Sequence, residues 1–407
     1  MKNLKSPTEL LGIIFRIFLG VVISSCGGKN HDAAPIDGNQ YAGQFAANIM
    51  PVSVGNCGLN AYANEPCVSV KICAPGTTQC QTIPNVLLDT GSYGLRIFSS
   101  EIKVSLNQVT SASGDPIAEC AQFGTSNTWG PIETADVVLG DEPSVQIPIQ
   151  VIDASFKTLP KSCATPSASA TETGYNGILG VGVLTHDCGD NCVKDATAGI
   201  YYTCTSTSCT STTQPLDKQV INPIAKLPAD NNGVILDLPS VPSGGVANLN
   251  GTLTIGIGTR DNNKPGSQKV FAADQSGNFQ TQFQSQTYPQ SFIDSGSNGL
   301  FFPQPKGLAT CQLNSAQDGF YCPTATASFS ATQSGSDVVT SADVSFEVAN
   351  ADSLMANFQA PVGVFSNLAG TQSASFDWGL PFFFGRRVYV GLESQVSSLA
   401  TGPYWAW

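Results

Sequence analysis

A mainly β chain in two related lobes, with few short helices, is the fold this sequence predicts. Three observations predict it. Residues 86–98 (VLLDTGSYGLRIF) and 291–303 (SFIDSGSNGLFFP) repeat one pattern. Short apolar runs alternate with turn clusters from Asn48 onward, and no stretch sustains a long helical period. Each repeat is an apolar run, then Asp-Thr/Ser-Gly-Ser, a variable residue, and Gly-Leu with more apolar residues. The aspartates, Asp89 and Asp294, lie 205 residues apart, so each can belong to its own half. Two carboxyls brought close together cannot both ionise easily. They share a proton and can act as a general acid and base pair, which points to water-mediated hydrolysis.

Taken in order, the chain opens on a targeting segment. Lys2 and Lys5 precede an apolar stretch, Leu10 to Ile23, interrupted by Arg16. It ends at Ile23-Ser24-Ser25-Cys26-Gly27, which resembles the lipobox of bacterial lipoproteins, so residues 1–25 read as a leader and Cys26 as a lipidated terminus. An ordinary signal peptide cut nearby, or an uncleaved anchor, are the alternatives. Residues 26–47 are polar and unpatterned, a flexible tether. Hairpin signals follow in PCVSVKICAPGTTQC, NVLLDTGS and ADVVLGDEPSVQIPIQVID, with Pro-Gly and Gly-Asp punctuation. A second series begins near Gly233 with GVILDLPSV and GTLTIGIGT. The lobes are therefore placed at residues 48–225 and 226–407.

Composition bounds the function. The 407 residues hold 40 Gly, 25 Pro and only 12% charged residues, with 41% apolar, enough for a packed core. The formal charge of −12 argues against nucleic acid, whose phosphates need clustered Lys and Arg. Thirteen cysteines leave an even number once Cys26 is set aside, as suits disulfides in an oxidising compartment. Spacing does not fix connectivity, but Cys57/Cys67, Cys73/Cys80, Cys120/Cys163 and Cys311/Cys322 suit local pairs. Cys188, Cys192, Cys204 and Cys209 would supply two more in one loop region. That reading also disfavours a zinc site in His186-Asp187-Cys188-Gly189-Asp190-Asn191-Cys192, which would need free thiolates. With only His31 and His186, a Ser-His-Asp hydrolase is poorly supported. Gly177–Gly182 (GILGVG) lacks the spacing and βαβ context of a phosphate loop.

The chain resembles the pepsin-like aspartic proteases, in which each of two β-barrel-like lobes contributes one catalytic Asp to a central cleft. The resemblance rests on the two Asp turns and on an apolar-apolar-Gly element that follows each. These elements are Asn176-Gly177-Ile178-Leu179-Gly180-Val181-Gly182 and Asp377-Trp378-Gly379-Leu380-Pro381-Phe382-Phe383, and NGTLTIGIGT (250–259) resembles the opening of the family's second lobe. It implies that Asp89 and Asp294 hold a water, and that Ser92 and Ser297 bind the outer carboxylate oxygens. Thr90 and Ser295 would lock the turns together through backbone, while Gly91 and Gly296 permit turns that a Cβ would hinder. No metal or organic cofactor is implied.

The flap of that family matches Gln122–Gly130, with Phe123, Gly124, Thr125 and Trp129 placed at the substrate cleft. Phe123 stands where a Tyr is expected, and the Trp that partners that Tyr corresponds to Arg96, a cation that would favour ionised carboxylates if it pointed inward. More closely still, the blocks CAPGTTQCQTIPNVLLDTGSYGLRIF and LPSVPSGGVANLNGTLTIGIGTRDNN resemble an uncharacterised family of bacterial secreted lipoproteins, a domain of unknown function. The expectation is a monomeric, lipid-anchored aspartic endopeptidase of the bacterial cell envelope that cuts polypeptide, facing the periplasm or the exterior. Gly27 after the Cys points to the outer membrane, by analogy with lipoprotein sorting. The alternative is a silent binding lipoprotein of the same fold, holding a peptide or glycan in the cleft.

Overall fold

Strands form where the sequence alternates. In the computed structural model, Ile49–Val54 (IMPVSV) buries every second residue, and Ser341–Val348 (SADVSFEV) keeps Val344, Phe346 and Val348 inside. By contrast Gly177–Val181 (GILGV) is buried throughout, as a central strand covered on both faces should be. The structure describes residues 45–407 except 56, 59–61, 125, 314 and 357–362. The expected leader, Cys26 as the expected lipidation residue, residues 26–44 of the expected tether, and Thr125 lie outside the described residues.

The fold is mainly β, with two sheets, one of them nearly barrel-shaped, and three short α-helices among the described residues. The larger sheet has 16 strands and the smaller seven. The larger one does not stop midway along the chain. Ile49–Val54 lies between Pro66–Cys73 and Leu249–Ile255, and through the latter the sheet continues to Gly233–Leu238, Arg386–Gly391 and Tyr404–Ala406. Among the described residues no helix is long and apolar enough to cross a membrane.

Each Asp turn sits on the same three-strand crossing. Cys80–Asp89 enters the first turn, Tyr93–Phe98 leaves it, and Gly177–Val181 lies between them, parallel to one and antiparallel to the other. Gln286–Ile293, Leu300–Phe302 and Asp377–Trp378 repeat that arrangement in the second half. The middle strand must come very close to the turn, so its glycine is obligatory. A Cβ on Gly180 would lie 2.5 Å from the Tyr93 nitrogen, and one on Gly379 would lie 2.0 Å from the Gly299 oxygen.

Packing differs between the halves. Aliphatic residues such as Val70, Ile83, Leu88, Leu95, Ile149 and Leu179 fill the first. In the second, Phe302 stacks on Phe376, which stacks on Trp378 at 4.4 Å, while Phe283 and Phe346 meet this group edge-on. Such contacts fix ring orientation as well as burying area. The terminal Tyr404-Trp405-Ala406-Trp407 closes the same region, with Trp405 donating to the Gly277 carbonyl and Trp407 stacked on Phe271.

Six disulfides brace the loops: Cys57–Cys67, Cys73–Cys80, Cys120–Cys163, Cys188–Cys192, Cys204–Cys209 and Cys311–Cys322. All four local pairs read from spacing are present, and Cys188, Cys192, Cys204 and Cys209 pair with their nearest neighbours.

Candidate functional site

The two Asp turns meet. Neither Gly91 nor Gly296 takes a positive φ, so backbone conformation is not why glycine is needed there. The reason is space. A Cβ on Gly91 would lie 2.5 Å from Cγ of Asp294, and one on Gly296 would lie 2.8 Å from Oδ1 of Asp89. Each aspartate packs against the glycine of the other turn.

Hydrogen bonds hold that approach with two-fold regularity. The Thr90 hydroxyl donates to the Ile293 carbonyl (3.0 Å) and accepts from the Ser295 backbone N–H (2.9 Å). The Ser295 hydroxyl donates to the Leu88 carbonyl (2.7 Å) and accepts from the Thr90 N–H (3.1 Å). Both side chains are buried, at 1% and 0% exposure, so four bonds are made where water cannot compete. Inside this frame Oδ1 of Asp89 accepts from Gly91 N–H at 2.8 Å, and Oδ1 of Asp294 accepts from Gly296 N–H at 2.7 Å. The outer Oδ2 atoms accept from Ser92 at 2.5 Å and Ser297 at 2.9 Å.

Electrostatically the pair behaves as one unit. Burial pushes the Asp294 carboxyl well above the usual range, the charge on Asp89 adds to this, and Asp377 adds further. The geometry that brings the two charges together is the packing of each carboxyl on the other turn's glycine. Gly91 is exposed, so the pair sits at a surface that water reaches. Tyr62, Tyr93 and Tyr175 stand in its field. Burial raises each phenol, and the negative charge on Asp89 raises it further, so all three remain proton donors.

The flap residues fall in different places. Ile117–Phe123 and Ser126–Val138 form a hairpin in which Phe123 pairs with Ser126 and Gly124 turns the chain. Trp129, placed at the cleft by its position in the sequence, is fully buried. Its indole N–H donates to the Phe156 carbonyl at 2.7 Å and its ring meets Tyr202 edge-on, so it supports the hairpin from inside. Arg96 does not point at the aspartates. Its guanidinium pairs with Glu119 at 2.6 Å and Asp187 at 3.2 Å, donates to the Tyr93 carbonyl, and lies over the Phe123 ring. This cation therefore ties the hairpin to the strand leaving the first Asp turn.

Reasoning from sequence missed the tyrosines, Glu65 and Asp377. Glu65 is completely buried, its carboxyl accepts from the Tyr62 N–H among the described residues, and burial pushes it up to about 8. Asp377 had a legible signal, because a carboxyl stands there in an element that is otherwise apolar-apolar-Gly. Its hydrogen bond runs to Ser297, at 2.6 Å.

Among the described residues Cys311, Cys322 and Asp352 cluster with ligand spacing, but both cysteines are in one disulfide. Residues 44–407 match the family described as "Protein of unknown function (DUF3443)". The chain belongs to this family. The match takes in both Asp turns and both crossing strands. No curated protein matches the chain.

Proposed function

We propose that this member of the DUF3443 family is an aspartic endopeptidase with a bilobal, pepsin-like fold, its lobes at residues 48–225 and 226–407. The observation that carries the reading is the mutual packing of Asp89 and Asp294, each against the other's glycine, inside a two-fold set of hydrogen bonds.

A water between the carboxyls would give its proton to the ionised one as its oxygen attacks a peptide carbonyl. The protonated partner donates to the carbonyl oxygen, which gives a neutral tetrahedral diol. Collapse returns a proton to the leaving nitrogen, breaks the C–N bond and restores the singly protonated pair. The pairing of carboxyls that share one proton is the standard physical account of aspartic proteases. Neutral phenols on Tyr62 and Tyr175 stand in the field of Asp89, while Phe123 carries no donor.

The substrate is an extended polypeptide crossing between the lobes. The chain is placed in the bacterial cell envelope, tethered by lipid on Cys26. The six disulfides agree with an oxidising compartment.

The test uses purified full chain, fluorescein-labelled casein and a mixture of quenched peptides, between about pH 3 and 7. Cleavage should fall by about 10³-fold or more in Asp294→Asn, which keeps the side-chain shape but cannot share a proton. Binding of these peptides without cleavage at any pH, equally in both proteins, would establish the silent binding protein instead.

A further inference from the structure

The strand beneath the second Asp turn carries a carboxyl where its counterpart carries a hydrocarbon. Leu87, two residues before Asp89, pairs with Ile178, and Phe292, two before Asp294, pairs with Asp377. Ile178 and Asp377 are thus equivalent positions in the two halves, and both are buried, at 1% and 5% exposure.

Asp377 is not neutralised by a cation, since no basic residue pairs with it among the described residues. Oδ2 lies 2.6 Å from the Ser297 hydroxyl, which itself lies 2.9 Å from Oδ2 of Asp294, while Oδ1 is buried without a partner. Its strand neighbours Phe292 and Phe301, and its chain neighbours Phe376 and Trp378, do not titrate. The titratable groups that face it are Asp294, through the serine, and Asp89.

A hydroxyl carries one proton. If Ser297 donates to Asp294, it must receive from Asp377, which is then protonated. If it donates to Asp377, then Asp294 holds the proton. With both carboxyls ionised, one carboxylate oxygen would face a hydroxyl lone pair at hydrogen-bond distance, in a buried site where such repulsion is strong. Among the described residues the Ser92 hydroxyl meets only the Asp89 carboxyl, and the position equivalent to Asp377 is Ile178.

We propose that Asp377 is a proton-holding positioning residue of this site, which through Ser297 keeps one proton on the Asp294 side of the aspartate pair at neutral pH. This rests on the aspartate pair being the reacting group. Burial supports it by pushing the Asp377 carboxyl up to about 8, with the charge on Asp89 adding to the rise. The consequence is a division of labour. The reserve proton sits on one side only, so Asp294 is the acid and Asp89 the base, and the singly protonated working state persists as pH rises.

The experiment has two arms, both on the full chain. In the first, aspartate labelled with ¹³C at the carboxyl is followed by infrared or NMR titration, which keeps Glu65 silent. The native protein should show an aspartate that loses its proton only near pH 8. That transition should vanish in Asp377→Asn, which is isosteric and still donates to Ser297, and should shift in Ser297→Ala. In the second arm, cleavage of labelled casein by Asp377→Asn should fall by about tenfold or more at pH 7 relative to its own rate at pH 4, moving the upper limb of the profile downward. A purely structural role would lower the rate equally at every pH.

A labelled titration of Asp377→Asn that superimposes on the native one overturns the proposal, as does an unchanged pH profile. A native protein that cleaves nothing sinks the protease reading alone, because the titration still decides whether the three carboxyls share protons.

Discussion

The two Asp turns share their strands, their glycines and their hydrogen bonds, yet they place their buried charge differently. Beside the first turn the cross-strand pair is Arg96 with Ile178; beside the second the same two positions are Phe301 and Asp377. The polar residue has changed strands, and its surroundings have changed with it. Arg96 is met by two carboxylates, Glu119 and Asp187, and its contacts lead away from the aspartates. Asp377 is met by one serine that already serves Asp294. A buried charge surrounded by opposite charge is a structural fastening. A buried carboxyl that shares its one hydrogen-bond partner with another carboxyl is better suited to moving or storing a proton.

The largest effect that would break this comparison is expected at the glycines. Gly91→Ala puts a Cβ against the Asp294 carboxyl, and Gly296→Ala puts one against Asp89. A displacement of about 1 Å should lower casein cleavage about 10²-fold in each, with the overall fold retained by circular dichroism. Retention of full activity in Gly91→Ala would mean that the two carboxyls do not work in contact.

Next in size is the fastening itself. Arg96→Met leaves Glu119 and Asp187 buried without their cation and should cost about 3–5 kcal/mol, read by urea unfolding. The loss should depend on pH in a defined sense. Burial, with the charge on Glu119 adding to it, raises the folded-state Asp187 carboxyl well above its unfolded value. The folded chain therefore binds more protons, and stability declines as pH rises above the ordinary carboxylate range. Without Arg96, which opposes that rise, the decline should steepen. The same loss at pH 4 and pH 7 would show that the guanidinium contributes by packing alone.

The smallest effect tests the symmetry. Ser295→Ala and Thr90→Val each remove one hydroxyl that makes two cross-turn bonds. Each should cost about 1–3 kcal/mol, and the two costs should agree. A large inequality would show that one turn carries the approach alone.

How much of this could be read from the chain follows the range of each interaction. The Asp turns were legible because all their chemistry lies within four consecutive residues, written twice. The disulfides were legible because most close short loops. Arg96 was not, because its direction is set by Glu119 and Asp187, 23 and 91 residues away. Trp129 was assigned to the cleft by its place in the hairpin, and sequence position does not reveal depth. Asp377 was visible as an intruder in an apolar element, but its relation to Ile178 appears only once both strand registers are known.

The strand Ile49–Val54 also bears on how the chain reaches this state. It makes six residue pairs with Leu249–Ile255 and only two with Pro66–Cys73. The first strand among the described residues therefore finds most of its partners about two hundred residues further along the chain. Until residue 255 has emerged, Ile49–Val54 lacks its main partner strand, and until residue 295 has emerged the Thr90 N–H lacks the Ser295 hydroxyl. The bonds that join the two Asp turns therefore form only after both halves have been made, so the paired site is a product of the whole chain and not of either half.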